Sequence, residues 1–294
     1  MKKTFRMLGI GLLAASVCLF SCNKAEEEED EEEGGNGGNT EFVSKTPSKK
    51  NVLIEEYTGV YCGYCPDGHK IVNGIVANNP GRVFAMNIHD VPNSYYPEYD
   101  FTGGYYNTDF GRALCEEFGV GDVGFPSGTM NRNGNASGRG TFSAKTNTEL
   151  NKDAVANIAA KATINQSSRK LTVTVQVYYT ANGTGSSNAI NVALLQNNIM
   201  GPQNNGQQYN PDQYDAATGK YRHMHMLRHL VTGQWGEQIS PITEGSLITK
   251  EYTYDIPAKI SNVDVVLADL EVLAFVCEGK RNVVNVCEIK PTLK

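Results

Sequence analysis

The sequence predicts an α/β domain over residues 50–161, followed by an all-β domain over residues 162–294. Before residue 160, short apolar runs typical of buried strands alternate with apolar residues at helical spacing. After it, alternating strand patterns dominate and are separated by Gly, Asn and Ser. About 245 residues follow the polar N-terminal region, which is enough chain for two domains of ordinary size.

The first domain contains three predicted strands and three predicted helices. The strands are 51–57, 82–88 and 127–132; the helices contain Ile71, Ile75 and Val76, then Phe110, Leu114 and Phe118, and finally residues 143–161. Runs as uniformly apolar as the first two strands are expected where a sheet is covered on both faces.

The second domain is predicted to be an immunoglobulin-like β-sandwich. Residues 170–177 alternate with a period of two, so a Val/Leu face would be buried and a Thr/Gln face exposed to water. The same pattern occurs at 190–195, 248–256, 270–277 and 283–289. Several short strands at this spacing are typical of a sandwich.

The N-terminus has the features of an export signal. Three positive charges within the first six residues precede an apolar run at 8–20, which is shorter than the ~20 residues needed to span a bilayer. Ser21 then precedes Cys22, as in a bacterial lipobox. The alternative is an ordinary secretory signal cleaved nearby. We predict a signal peptide over 1–21 and membrane anchoring through lipid on Cys22, without a membrane span.

Residues 22–49 form a predicted tether. Eight consecutive acidic residues at 26–33 are followed by a Gly/Asn run at 34–39. Such a block cannot bury apolar surface and repels itself, so it should stay extended. It is either a plain spacer or an address, because acidic residues just after a lipidated cysteine resemble the surface-export signal of Bacteroidota lipoproteins.

The charge distribution argues against nucleic acid as a partner. The chain carries −6 in total, of which +3 belongs to the signal and −7 to residues 24–33. The remainder is therefore close to neutral, at −2. No basic face is implied.

The cysteines indicate redox chemistry. Of the five that remain beyond Cys22, only Cys62 and Cys65 are close in sequence, as Cys-Gly-Tyr-Cys. The motif follows a strand and opens a helix, the context in which CxxC is typical of a thioredoxin-like fold. A zinc site would need a second ligand pair, for which His69 is the only nearby candidate. We predict a dithiol site with no metal and no cofactor.

The predicted roles of the two cysteines follow from their placement. Free N–H groups and the macrodipole at a helix N-terminus would stabilise Cys62 as the thiolate nucleophile. Cys65, one turn further in and less exposed, would be the resolving thiol. Pro66 is compatible with the first helical turn, where N–H groups lack partners.

Two further positions resemble those of thioredoxins. Glu56 lies six residues before Cys62, where thioredoxins carry a buried acid that passes a proton to the resolving cysteine. A carboxyl beneath the motif would have a raised pKa. The segment Gly124 to Pro126 precedes a strand, where thioredoxin-like folds carry a cis-proline that meets the substrate backbone. The resemblance implies that Glu56 is a proton shuttle and that Pro126 docks substrate.

A closer family resemblance extends over residues 50–290. The stretch EYTGVYCGYCPDGH at 56–69 resembles the signature of the outer-membrane-protein-28-related lipoproteins of Bacteroidota. Similar segments are 87–89, 118–120, 126–128, 131–132 and 223–228, followed by Gly233 and Gly236. The resemblance implies a thioredoxin-like first domain and outer-membrane anchoring, without an assigned reaction. Tyr61 stands where thioredoxins often have Trp.

Five residues are candidates for lining the site: Tyr61, Tyr64, His69, His89 and Phe125. His69 shares a helix face with Cys65 and either assists proton transfer or hydrogen-bonds within the fold. His89 ends a strand at the carboxyl edge, where α/β sheets gather functional groups.

Four other features are open to interpretation. His223, His225 and His229 alternate with methionines, but on a strand they would not converge on one ion, so we favour a structural segment over copper or zinc binding.

The aromatic segment 95–106 and the polar loop 203–219 are candidate binding surfaces or packed loops. Cys277 should face residue 283, too far from Cys287 for a disulfide. We predict that both, and Cys115, are buried free thiols.

Two functions remain open. In the first, a surface-facing outer-membrane lipoprotein exchanges disulfides with exported proteins or peptides through Cys62 and Cys65. In the second, it is a non-enzymatic binding or adhesion lipoprotein with an unidentified surface ligand, and the CxxC is a structural disulfide. The intact motif, Glu56 and Pro126 favour the first. Surface location favours the second, because no obvious reductant recycles a dithiol outside the outer membrane.

Overall fold

Three short strands in the first half of the chain form the part of the sheet that leads into the CxxC motif. In the computed structural model, which describes residues 40–90 and 106–294, β1 (Val52–Thr58) pairs in parallel with β2 (Val83–His89). β3 (Ser127–Met130) pairs antiparallel with the other side of β1. The three predicted strands are therefore confirmed.

Four helices accompany these strands. Their bounds are α1 (Cys65–Asn78), α2 (Asp109–Glu117), α3 (Val120–Val123) and α4 (Phe142–Leu150). α1 links β1 to β2, as parallel strands require a crossover connection. The short strand β4 (Ser137–Gly138) extends the sheet beyond β3.

The predicted helix over 143–161 is wrong beyond residue 150. After α4 the chain turns and enters β5 (Ala156–Asn165), which pairs with β6 (Lys170–Tyr179) in a ten-residue antiparallel register. The alanines of β5 favour a helix in isolation. Burial of alternate residues and the full ladder with β6 outweigh that preference.

The predicted long strands of the second half are confirmed, and shorter ones join them. The long strands are β7 (Asn188–Gln196), β13 (Leu247–Asp255), β16 (Leu270–Glu278) and β17 (Arg281–Ile289). The shorter elements are β8 (Ile199–Gly201), α5 (Gly206–Tyr209), β9 (Tyr214–Asp215), β10 (Lys220–His223), β11 (Met226–Leu230), β12 (Glu237–Ile239), β14 (Lys259–Ile260), β15 (Val263–Asp264) and β18 (Thr292–Leu293), with 3₁₀ turns at Arg139–Thr141, Pro211–Gln213 and Leu267–Asp269.

One sheet runs through both halves of the chain. Its order is β17-β16-β7-β11-β2-β1-β3-β4, with β12 also paired to β7. β11 makes the junction, because Met226 pairs in parallel with Asn87 of β2 while β11 lies antiparallel to β7. The described residues all belong to one compact unit. The division at residues 161/162 stays a prediction.

The second sheet covers one face of this large sheet. It has the order β13-β6-β5-β18, and its apolar residues share a core with alternate residues of β7 such as Ile190, Val192 and Leu194. The intervening Ala193 and Leu195 face a core on the opposite side, with residues of α2 and β1. The fold is thus mixed α/β with extensive sheets, and its central strands are buried on both faces.

The helices α1 and α4 pack on the β1–β2–β3 part of the large sheet. Val52 and Ile54 of β1 meet Val72 of α1 and Phe142 of α4 in a third core. This packing places the first turn of α1 next to the carboxyl ends of β1 and β2, the edge where α/β sheets collect functional side chains.

Candidate functional site

The CxxC motif forms a disulfide at the start of α1. Cys62 and Cys65 are bonded, with Cα atoms 5.4 Å apart. Cys62 is 7% exposed and Cys65 is fully buried, in the order of accessibility that the sequence predicts. The helix begins at Cys65 itself, with Tyr64 as N-cap and Pro66 in the first turn. Cys62 therefore lies in the turn that precedes the helix and is not itself a helical residue.

Glu56 of β1 is a buried acid to which no other described residue forms a hydrogen bond. Its side chain is fully buried, and among the residues that the structure describes neither carboxyl oxygen has a partner. Burial raises the pKa of this carboxyl well above its ordinary value. Its Oε1 lies against Gly68, in the first turn of α1, so closely that a side chain there would collide with it. The acid is thus beneath the turn that carries Cys65.

The adjacent Glu55 is equally buried but fully paired. It faces the other side of the sheet, where Arg132 donates to both its carboxyl oxygens, at 2.7 to 3.0 Å. The Thr129 hydroxyl also donates to Glu55, at 2.9 Å. Since β1 alternates its side chains between two faces, neighbouring glutamates occupy opposite electrostatic environments.

The segment Gly124 to Pro126 flanks the motif. The Phe125–Pro126 peptide bond is cis, as the thioredoxin resemblance implies. A Cβ at Gly68 would lie 2.9 Å from Cβ of Pro126, and one at Gly59 would lie 3.3 Å from the Phe125 ring. The two glycines therefore allow this segment to approach the motif from both sides.

A segment from the second half of the chain forms hydrogen bonds with the loop at residues 59–62, which includes Cys62. The Gln203 side-chain amide donates to the carbonyls of Gly59, Val60 and Cys62 at 3.1 to 3.2 Å. The side-chain amide of Asn204 donates a hydrogen bond to the remaining carbonyl of this loop, that of Tyr61, at 3.1 Å. Four consecutive carbonyls are thus held by two residues of the polar loop 203–219. Only the length and Asn/Gln content of that loop marked it in the sequence.

The family can be identified once this geometry is compared with known proteins. Residues 112–293, more than half of the chain, match the family model described as Outer membrane protein Omp28. The chain belongs to the Omp28 family. The predicted membership of the outer-membrane-protein-28-related family is therefore confirmed. No sequence among the curated proteins matches the chain.

Solved structures similar to this Omp28-family chain include proteins of two bacteria. HBP35 of Porphyromonas gingivalis aligns over 83% of this chain and 76% of its own, with 19% identity and a TM-score of 0.63, a likeness of fold alone. A domain of the outer membrane lipoprotein Omp28 from the same organism aligns over 48% and 91%, at 22% identity and a TM-score of 0.32. A protein of Agrobacterium tumefaciens aligns over 82% and 95%, at 12% identity and a TM-score of 0.49.

Membership of the Omp28 family assigns the chain to an outer-membrane protein family. In the part of the chain that the structure describes, no helix has the length and apolar content needed to cross a membrane. Cys22, the acidic run 26–33 and residues 95–105 of the aromatic segment lie outside the described residues. Tyr106, at the end of that segment, is described and buried.

The histidines near the Omp28-family CxxC are buried and hydrogen-bonded or ring-packed. His69 contacts the hydroxyls of Thr58 (2.9 Å) and Tyr221 (3.0 Å). Burial, with a smaller contribution from His223, lowers its pKa to about 3. His89 packs edge-on against the rings of Tyr106 and His223, and burial lowers its pKa as well. His69 is thus neutral and fixed by hydrogen bonds near neutral pH.

The two tyrosines of the motif form its exposed rim. Tyr61 is 38% and Tyr64 55% exposed. The Tyr64 ring contacts Tyr209 of α5 at 5.3 Å between centroids, and the Arg139 guanidinium lies over it at 5.1 Å. These two rings are therefore exposed next to the disulfide in the chain.

The histidine–methionine segment does not converge on one point. His223 contacts the Pro202 carbonyl, His225 contacts Glu271, and His229 stacks on Tyr254. The segment is also not one strand, because β10 ends at His223 and β11 begins at Met226. His223 and His225 therefore do not lie on the same strand.

The remaining thiols are free, as predicted. Cys115 and Cys277 are buried as predicted, but the predicted full burial of Cys287 is wrong, because this residue of β17 is partly exposed. Cys277 pairs with Val283 and Cys287 with Ala274, which places the two cysteines apart along the hairpin as the sequence predicts.

Proposed function

We propose that this chain is a lipid-anchored, surface-facing outer-membrane protein whose Cys62–Cys65 pair exchanges disulfides with exported proteins or peptides. The observation that carries the proposal is Glu56, a buried carboxyl without a partner among the described residues. It lies beneath the first turn of the helix that carries Cys65. A buried unpaired acid is costly for the fold, and acids with raised pKa values cluster at functional sites.

The arrangement of strands around the motif supports a thioredoxin-like first half. The strand before the CxxC lies between a parallel and an antiparallel neighbour. The antiparallel neighbour, β3, follows the cis bond before Pro126. In this proposal Pro126 docks the substrate chain, Tyr61, Tyr64 and Phe125 border it, and the facing sheets of the second half form an immunoglobulin-like sandwich.

The proposed exchange balances in two steps. In the reduced protein, the Cys62 thiolate attacks a substrate disulfide, forming a mixed disulfide and releasing one substrate thiolate. Glu56 accepts the proton of Cys65, whose thiolate then attacks the Cys62 sulfur and breaks its bond to the substrate. The second substrate sulfur leaves as a thiolate and takes a proton from water, and Glu56 returns its proton to water. Two electrons pass from the protein to the substrate, and a thiol reductant restores the dithiol.

A trapping experiment tests this proposal. Cys65→Ser should accumulate mixed disulfides through Cys62 with a disulfide-containing peptide, because the first attack remains and the resolving thiol is absent. Cys62→Ser, with Cys65 intact but buried, should trap little, and Cys115→Ser should behave like the parent protein. Non-reducing electrophoresis with peptide mass mapping reads the result. Equal trapping by the Cys65→Ser and Cys62→Ser variants, or none by either, would exclude the proposed roles.

The binding or adhesion function is also favoured by a specific observation. Gln203 and Asn204 hold every carbonyl from Gly59 to Cys62, and Cys62 is only 7% exposed. A disulfide in so fixed a loop suits a structural crosslink that keeps Tyr61 and Tyr64 presented to an unidentified surface ligand. The reduction potential separates the two functions.

The anchoring part of the proposal is tested at Cys22. Cys22→Ser should abolish acylation, because the lipobox cysteine supplies the thiol, and the protein should leave the membrane fraction. Carbonate extraction followed by immunoblotting measures the distribution, with Cys115→Ser as the matched cysteine control. Retention of the Cys22→Ser protein in carbonate-washed membranes would contradict lipid anchoring there.

A further inference from the structure

Three side chains, one from the turn before β11 and two from strands, meet on the large sheet away from the CxxC motif. His225 lies just before β11, Glu271 is on β16 and Glu288 is on β17. One ligand atom of each lies within 4.8 Å of the other two. Nδ1 of His225 and Oε1 of Glu271 are 2.5 Å apart. The sequence separates Glu271 from His225 by 46 residues, so no local motif marks this group.

The sheet register brings the two carboxylates to the same face. Glu288 pairs with Leu273, two residues after Glu271 on the same strand. Residues two apart on a strand share a face, so the glutamates are diagonal neighbours. Partial shielding from water, together with the charge of Glu271, raises the pKa of Glu288 to about 6. Like charges at this spacing repel unless a cation lies between them.

Asn197 holds two of the three groups in position. Its Oδ1 accepts from the His225 backbone N–H at 2.7 Å, and its Nδ2 donates to Oε2 of Glu271 at 2.7 Å. Oε1 of Glu271 is left facing the imidazole. The His225 backbone is in the left-handed region at φ 51°, and its carbonyl accepts from the Asn87 N–H. Hydrogen bonds of this kind, which orient a ligand from behind, are characteristic of metal sites.

A cavity adjoins the group. Its volume is about 240 Å³, and Glu271 and Glu288 both line it, with Asn197, Asp269, Met224 and Lys290. Asp269 adds negative charge to this space, and Lys290 adds one opposing positive charge. The cavity leaves room for water or a small ligand beside the carboxylates.

From this geometry we infer that His225, Glu271 and Glu288 bind a divalent transition-metal ion of the zinc class. One imidazole nitrogen and two carboxylate oxygens, with space for a fourth ligand, form the donor set of an open zinc site. The imidazole favours zinc-class ions over calcium and magnesium, which prefer oxygen ligands. Ligand atoms bound at about 2.0–2.2 Å lie roughly 3–3.5 Å apart, within the spread of this group.

The ion takes the place of the proton that His225 and Glu271 share. Nδ1 of His225 loses that proton to solvent and coordinates the metal, and Glu288 turns its carboxylate to the same ion. Binding therefore releases a proton, and the affinity should fall as the pH is lowered through the range in which Glu288 and His225 protonate.

The test is a titration of the purified metal-free chain with Co²⁺ and Zn²⁺, by visible absorption and calorimetry. The Cys62–Cys65 disulfide is kept oxidised so that neither thiol can bind metal. We expect one equivalent of Co²⁺ to bind with a visible ligand-field band that Zn²⁺ displaces. Glu288→Gln should weaken binding by at least about tenfold, and His225→Gln should abolish the band.

Matched controls keep the result specific. His229→Gln removes a histidine of β11 that is not part of the proposed site, and Glu251→Gln removes an exposed carboxylate of β13. Both variants should bind metal like the parent protein. Glu288 is exposed, so its variant tests the site even if His225→Gln unfolds. Absence of one-to-one binding by the parent protein, or unchanged affinity in Glu288→Gln, would overturn the inference. Neither result depends on whether the CxxC is redox-active.

Discussion

Two consecutive glutamates of β1 are buried in opposite electrostatic environments. Glu55 is neutralised by Arg132 in the interior, whereas Glu56 has no such partner among the described residues. The sequence predicted a buried acid at Glu56 from its position before the CxxC. It could not predict the Glu55 pair, because Arg132 is 77 residues away and meets β1 only through the pairing of β3.

Glu56→Gln should stabilise the protein at high pH and leave it unchanged at low pH. The pKa of Glu56 is higher in the folded than in the unfolded chain. The contribution of this carboxyl to the free energy of unfolding is therefore greatest at pH values below 4.5, its pKa in the unfolded chain. That contribution is lost as the pH rises toward the pKa of the folded state. Each tenfold difference in proton affinity is worth about 1.4 kcal/mol, and Gln has no such loss.

Thermal unfolding from pH 4.5 to 8 measures this effect. The difference in Tm between Glu56→Gln and the parent protein should grow with pH. Glu55→Gln is the matched control: it leaves Arg132 without its charge partner and should cost about 3–5 kcal/mol, in the manner of a broken buried ion pair. A Glu56→Gln difference that is constant with pH would mean that the carboxyl titrates normally.

Local sequence patterns predicted the helix α1 but not its closest tertiary contacts. Apolar spacing at Ile71, Ile75 and Val76 predicted the helix, and the CxxC predicted its start to within three residues. The tight contact at Gly68 was not predictable, because the atoms that exclude a side chain there belong to Glu56 and Pro126. β5 was missed for a related reason: its helical propensity is overridden by pairing with β6, which no local pattern encodes.

Two glycines of α1 should respond oppositely to alanine. Gly68→Ala places a methyl group against Glu56 Oε1 and Pro126, and should destabilise the protein by about 1–3 kcal/mol, as overpacking does. Among the described residues, no atom lies within 4 Å of a Cβ placed at Gly74, so Gly74→Ala should stabilise the protein by about 0.8–1 kcal/mol through helix propensity alone. Urea unfolding of both variants measures the difference, and equal effects would mean that Gly68 is not a packing constraint.

At the scale of the whole molecule, one sheet joins the halves that the sequence separates. The long alternating strands were predictable because burial of one face imposes a period of two. The junction was not, since β11 has only five residues, including Arg228 and His229, and its neighbours are strands distant in sequence. The same non-local packing brings Gln203 and Asn204 onto the CxxC loop, so the second half of the chain shapes the site of the first.

The reduction potential of the Cys62–Cys65 disulfide tests the central claim most directly. The purified protein is equilibrated with glutathione or dithiothreitol redox buffers, quenched by alkylation, and read by mass spectrometry of the peptide that contains both cysteines. If the pair exchanges disulfides, its potential should lie in the range of known exchange proteins, about −120 to −270 mV. A potential below about −300 mV, typical of structural disulfides, would contradict the exchange function and leave the crosslinked binding surface.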